Sequence, residues 1–165
     1  MKTEISKLFI FSFLFFCFFS FAQEKGIVKL LNNAISRDLK IEVDNNYFED
    51  KLRVVTAYKI DNDVLSVEFE VKKSVGSYVE KREVSISDIL FIGKDINVIF
   101  GTKENAVKVT RTRIEDGGYK QKEESSSDLF FTGIRNMKNN ETLGESLKKV
   151  FKKAGYAVEL KYWYD

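Results

Sequence analysis

Carboxylates and aromatic rings are the side chains of this chain whose spacing could do chemistry. His is absent from all 165 residues and the single Cys is Cys17. That excludes Ser-His-Asp and Cys-His catalysis, His-containing zinc sites and imidazole pH switching. Asp61 and Asp63 flank a turn and offer oxygen ligands for Ca²⁺, but without the spacing of an EF-hand loop. Glu68 and Glu70 fall on one side of an alternating strand, the arrangement a retaining glycosidase pair would need. The ordinary reading of each pair is a polar turn and a wet strand face. Gly117-Gly118 opens no helix, so it is a turn and not a phosphate loop. Asn140-Glu141-Thr142 fits a glycosylation acceptor, but it stands where a helix start is expected. Lys148, Lys149, Lys152 and Lys153 offer a cationic surface, although lysines at a helix C-terminus are expected from the helix dipole alone.

The aromatic C-terminus carries the strongest binding signal. Tyr156, Tyr162, Trp163 and Tyr164 combine large apolar area with polar atoms, as interface and sugar-binding residues do. Period-two alternation puts Val158, Leu160, Tyr162 and Tyr164 on the inner face of a strand. Trp163 then points outward with Glu159 and Lys161, the expected centre of a binding surface.

The start of the chain directs it out of the cell. Lys2 and Lys7 precede an apolar run over 8–19 broken only by Ser12, and Ser20-Phe21-Ala22 places small residues for cleavage. Residues 1–22 are thus expected to be a removed signal peptide, with residues 23–165 a single domain. The apolar run is shorter than the roughly 20 residues of a spanning helix. Cys17 does not fit a lipid-bearing cysteine, because bulky Phe15 and Phe16 precede it. Removing 22 of 165 residues leaves 143, with 25 basic and 24 acidic residues once Lys2, Lys7 and Glu4 are gone. That balance gives no general attraction to nucleic acid or to an anionic membrane. Export without a remaining Cys fits a bacterial envelope, periplasmic or extracellular, better than a disulfide-stapled secreted domain.

The elements behind these residues follow from periodicity. Ile27, Val28, Leu31, Ala34 and Ile35 make a helical stripe over residues 26–37, and alternation over 39–43 predicts a strand. Strands are expected over 52–60, 64–72, 78–86, 96–100 and 106–114, with a buried apolar run at 89–92 and Gly93-Lys94-Asp95 as a turn. Residues 119–128 are the most polar stretch and are expected to form a mobile hairpin tip before strand character resumes at Leu129. Leu143, Leu147, Val150, Phe151 and Ala154 form one buried helical stripe. Asn139 or Asn140 is its cap and Gly155 its left-handed end. Leu65, Val67, Phe69, Val84, Ile86, Val98, Phe100, Leu147 and Phe151 are the expected core.

Glu83-Val84-Ser85-Ile86-Ser87-Asp88-Ile89, the strand over 96–100 and the helix over 142–154 together resemble the layout of pleckstrin-homology-like domains. The resemblance covers half of the mature chain. It implies a bent antiparallel sheet closed by a C-terminal helix, and no function. A helix before the first strand and a strand after the last helix depart from that layout, as does the lack of a headgroup-binding basic cluster. The expected fold is therefore α+β: a bent antiparallel sheet or partly open β-barrel of about seven or eight strands, with a short N-terminal helix and an amphipathic C-terminal helix packed on it. The expected function is that of an exported, non-catalytic binding domain without a cofactor, its partner an envelope protein or polysaccharide. A carboxylate-dependent hydrolase and a carrier of a small apolar ligand are the alternatives.

Overall fold

The computed structural model describes the backbone of residues 2–45, 47–74, 76–114 and 121–164, with side chains from Glu24 onward. The expected signal segment, residues 1–22, lies outside the residues whose side chains are described, as does the Gly117-Gly118 turn. The order is α1 (Lys2–Asn45), β1 (Lys51–Asp61), β2 (Val64–Lys73), β3 (Gly76–Ser85), a 3₁₀ turn at Ile86–Asp88, β4 (Ile89–Asp95), β5 (Asn97–Thr102), β6 (Val107–Ile114), β7 (Lys122–Ser127), β8 (Leu129–Phe131), α2 (Glu141–Lys153) and β9 (Glu159–Trp163).

The architecture is α+β, as expected, but the strands are divided differently. Among the described residues nine strands form two sheets, a five-stranded antiparallel sheet β1-β2-β3-β6-β7 and a four-stranded sheet β8-β5-β4-β9. No barrel closes. Two features of the chain separate the sheets. The 3₁₀ turn at Ile86–Asp88 takes the chain out of β3, with the Ile86 N–H bonded back to the Asp63 carbonyl at 2.9 Å. The strands β5–β6 and β7–β8 then form one long bent hairpin that passes through both sheets. Its β5–β8 half pairs Gly101 with Leu129, and its β6–β7 half pairs Val107 with Ser127. The second sheet is mixed because β9 runs parallel to β4. A parallel pair needs a crossover, and α2 supplies it between β8 and β9.

The core lies between the sheets and under the helices. All nine expected core residues are in it, none more than 2% exposed. A chain of rings runs through it from α2 to the first sheet. Phe151 meets Phe100 edge-on at 5.6 Å, Phe100 stacks on Phe130 at 5.9 Å, and Tyr58 joins Phe130 to Phe69 at 6.4 Å on each side. The Tyr58 hydroxyl donates to the Thr132 carbonyl at 2.5 Å, so the one polar atom of this chain of rings is satisfied.

Helix α1 corrects the strand expected over 39–43. The helix continues to Asn45, and its buried stripe Leu31-Ile35 goes on through Asp38 and Glu42, 0% and 4% exposed. Leu39 and Ile41 are only half-buried, Leu39 packing on the rim of the core, and Val43 is 83% exposed. Their apolar alternation mimics a strand, whereas the helical periodicity is carried by buried carboxylates. Asp38 explains why burial of charge is tolerated. Its Oδ1 accepts the backbone N–H groups of Arg135, Asn136 and Met137 at 2.9, 2.7 and 3.0 Å, and its Oδ2 accepts Asn136 Nδ2 at 2.8 Å. Asn32, one turn and a half earlier, binds both the N–H and the carbonyl of Tyr58 where β1 departs from regular register.

The polar stretch 119–128 also differs from expectation. Lys122–Ser127 is the edge strand β7, paired with β6 from Thr112–Lys122 to Val107–Ser127. A main-chain ladder needs no apolar side chains when both faces are wet, and charges suit an exposed edge. Lys108 and Lys122 flank Glu124 there, at 3.6 and 2.6 Å. Residues 115–120 lie outside the described residues.

Helix α2 ends as its sequence predicts. Gly155 takes φ +89°, its N–H bonds the Lys152 carbonyl, and the Tyr156 N–H bonds the Phe151 carbonyl, a Schellman closure. Its start differs. Asn140 occupies the cap position, but its side chain makes no cap bond; Oδ1 accepts the indole N–H of Trp163 at 3.1 Å instead.

Candidate functional site

The C-terminal strand places its aromatics in two groups, and not as the alternation predicts. Ile92 pairs with Leu160, but Lys94 pairs with Trp163, so one extra residue of β9 is accommodated between them. Such a bulge reverses the facing of every later side chain. Leu160 and Trp163 therefore both face α2, where they close on Gly144. A Cβ there would stand 2.6 Å from the Trp163 ring and 2.9 Å from Leu160. Trp163 is thus half-buried and hydrogen-bonded, and the expected outward Trp163 is corrected: Tyr162 and Tyr164 face outward.

Those two rings build an exposed aromatic face on the second sheet. They stack on each other at 5.7 Å and 10°, with Tyr162 38% and Tyr164 63% exposed. Tyr162 meets the edge of Phe91 at 6.0 Å, and the Lys161 ammonium lies 4.5 Å from the Phe91 ring centre. Two glycines make room for these rings. Tyr162 lies 3.1 Å from a Cβ placed on Gly93, and Phe91 covers Gly101 so closely that a Cβ there would be 1.9 Å from it. Gly93 is therefore a packing glycine inside β4 and not the expected turn, which falls instead at Ile96. That residue holds φ +59° and is 62% exposed. A β-branched residue in the left-handed region is a strained one. Ile96 lies two residues beyond Lys94, whose carbonyl accepts the Tyr164 N–H at 3.0 Å.

Tyr156 belongs elsewhere. Its hydroxyl lies 3.4 Å from Glu24 and 3.3 Å from Asp63, and burial beside these two carboxylates pushes its pKa up to about 12. It does not join Tyr162, Trp163 and Tyr164.

Of the carboxylates singled out in the sequence, Asp63, Glu68 and Glu70 are engaged by neighbours, whereas Asp61 is exposed. Asn62 and Asp63 take φ +49° and +61° in the hairpin turn. Among the described residues no group of three or more potential metal ligands occurs. Glu70 is bound by Arg53 and by Lys72 at 3.6 Å, and the hydrogen bond from Arg53 holds its carboxyl below the usual range. Glu68 accepts the Thr56 hydroxyl at 2.6 Å. Among the described residues no helix is long and apolar enough to cross a membrane.

A charged cluster on the inner face of the first sheet had no counterpart in the sequence reading. Glu80, 4% exposed, receives Arg82 on Oε1 (Nε at 2.6 Å) and Arg111 on Oε2 (Nε at 2.6 Å). The signal was present, because the alternation that turns Val84 inward turns Arg82 and Glu80 the same way. Burial alone would raise the Glu80 pKa, but the adjacent Arg82 and Arg111 outweigh it and hold the carboxyl below its ordinary 4.5. A lowered folded pKa means that the stabilisation is complete above the unfolded value and is lost as pH falls through the folded one. Stability should therefore decline below about pH 4.5. In Glu80→Gln that part of the decline should be absent. Urea titrations of both proteins between neutral and acid pH check it; parallel pH profiles would show that Glu80 does not contribute.

No protein-family model, curated protein or solved structure matches the chain.

Proposed function

We propose that this is a non-catalytic binding domain of the bacterial envelope, and that the face formed by Phe91, Tyr162 and Tyr164 docks a protein partner. The observation that carries the reading is the exposed aromatic cluster on a sheet face floored by Gly93 and Gly101. Aromatic rings with a charged rim are the usual composition of a protein interface. Lys161, over the Phe91 ring, and Glu159, paired with Lys161 at 3.9 Å, supply that rim. Rings stacked face to face, as Tyr162 and Tyr164 are, present edges more than a flat platform, which favours a protein over a polysaccharide. Export rests on the order of charged, apolar and small residues in 1–22.

Capture from the producing cell's envelope tests the proposal. Double replacement of Tyr162 and Tyr164 by Ala should weaken retention of the partner on the order of thirtyfold, the loss of about 2 kcal/mol typical of an interface anchor. The unfolding midpoint should stay within a degree or two of the parent. Retention unchanged in the double variant, or retention of polysaccharide with no protein, would overturn it.

A further inference from the structure

The inner face of the first sheet contains a second recess, separate from Phe91, Tyr162 and Tyr164. One part, about 270 Å³, runs from Glu80 and Arg82 to Arg135; an adjoining part, about 220 Å³, is lined by Arg113, Gln121 and Glu123. Lys73, Tyr78 and Arg111 line both. Five cationic side chains meet three carboxylates there, Asp50, Glu80 and Glu123.

The cations are held differently. Arg82 is fully engaged, through Glu80, through the Phe131 carbonyl and over the Phe69 ring at 5.1 Å. Arg111 gives Glu80 only its Nε, and its guanidinium lies 5.6 Å from the Tyr78 ring. No hydrogen bond of its two terminal nitrogens occurs among the described residues, while Nε and the ring fix their direction. Arg113 lies two residues along β6 on the same face, exposed and lining the same recess, with no side-chain hydrogen bond or ion pair among the described residues. Lys73 reaches Asp50 at 3.4 Å and remains 40% exposed. Arg135, carried by the loop that Asp38 binds, lies over Phe48 at 4.1 Å; its Nε is buried without an acceptor among the described residues. A single carboxylate shared by two guanidiniums leaves one positive charge uncompensated, and Arg113 adds another. Glu123, directly across from Arg111, opposes them only in part.

We infer that this recess binds an oxyanion, a phosphate ester or a carboxylate of a small ligand, on the free ends of Arg111 and Arg113 with Lys73 beside them. Guanidinium forks pair two N–H groups with two oxygens of such an anion. Glu80 and Tyr78 position Arg111, so little side-chain freedom is lost on binding. The recess is open to solvent, with the Arg111 side chain 52% and the Lys73 side chain 40% exposed, so an anion can reach them directly and the pairing should weaken as salt rises.

The test uses the full chain titrated by NMR with inorganic phosphate, with acetate and with chloride at matched ionic strength. Phosphate or acetate should bind saturably and shift the amides of residues 73, 78, 111 and 113, whereas chloride should not. The stronger of the two names the group. Arg113→Ala should weaken that binding about tenfold or more, the loss of one charge-assisted contact. It should leave the unfolding midpoint unchanged, since the side chain supports nothing in the fold. Tyr164→Ala should bind the anion as the parent does, so the outcome is independent of the aromatic face. Identical responses to all three salts, or undiminished binding by Arg113→Ala, would overturn the inference.

Discussion

Replacing Asp38 by Ala is expected to lower the unfolding free energy by about 3–5 kcal/mol. The side chain is fully buried and accepts four hydrogen bonds, three of them from consecutive backbone N–H groups of the loop between β8 and α2. Removal leaves those donors unpaired, the two of Asn136 buried and those of Arg135 and Met137 part-buried. Each buried donor left unpaired costs about 1–3 kcal/mol, and some relaxation of the loop offsets part of the sum. Asp38→Asn keeps one acceptor but sets an amide donor against Asn136, so it should lose less than Ala, though still more than about 1 kcal/mol. Urea midpoints at constant slope measure both losses. A loss below about 1 kcal/mol in the Ala variant would mean that the loop holds its shape without Asp38. Because the same loop carries Arg135 into the charged recess, Asp38→Ala should also reduce amide protection around residues 135–137 more than elsewhere.

Asp38 also marks the limit of what periodicity can read. Helical and strand patterns are legible where the buried side is apolar, and so β2, α2 and all nine expected core residues emerge from the sequence. Where the buried side is polar, the pattern points the wrong way. Helix α1 after Arg37 buries Asp38 and Glu42 and exposes Val43, and so alternation at 39–43 suggests a strand. The same cause hid Glu80, whose inward position follows from its parity with Val84 but whose charge suggests solvent. Strand β7 was hidden for a different reason. Its stability comes from main-chain pairing with β6, which leaves no trace in side-chain hydrophobicity.

The aromatic face was legible in residue type and not in orientation. Tyr162, Trp163 and Tyr164 announce large contact area whichever way they point. Their facing depends on a bulge between Leu160 and Trp163, set by how β9 pairs with β4 and how α2 covers it. Gly144 is the local clue, since only glycine leaves room for the Trp163 ring against the helix. Gly93 and Gly101 are the corresponding clues on the other face. In a single sequence, a glycine that allows a ring to approach cannot be told from one that makes a turn, because both lack only a Cβ.

Phe151→Ala is expected to cost about 3–5 kcal/mol, the range for an aromatic residue emptied from a well-packed core. Phe151 is 0% exposed and begins the run of rings through Phe100 and Phe130 to Tyr58 and Phe69. Its loss removes apolar burial and an edge-to-face contact together, and the flanking strands and helix are too constrained by their own pairing to close the gap. Phe151→Leu retains most of the volume and should lose much less, about 1–2 kcal/mol. The consequence reaches the proposed interface. Helix α2 is the crossover that sets β9 beside β4, and Gly144 holds Trp163 and Leu160 one face away from Tyr162 and Tyr164. Loosening α2 should therefore raise amide exchange in β9 before it does so in β2 and β3, whose ladder is built without the helix. Equal exchange in both sheets would show a single cooperative unit. A loss below about 1 kcal/mol on Phe151→Ala would make α2 peripheral to the core and remove the support for the orientation of β9.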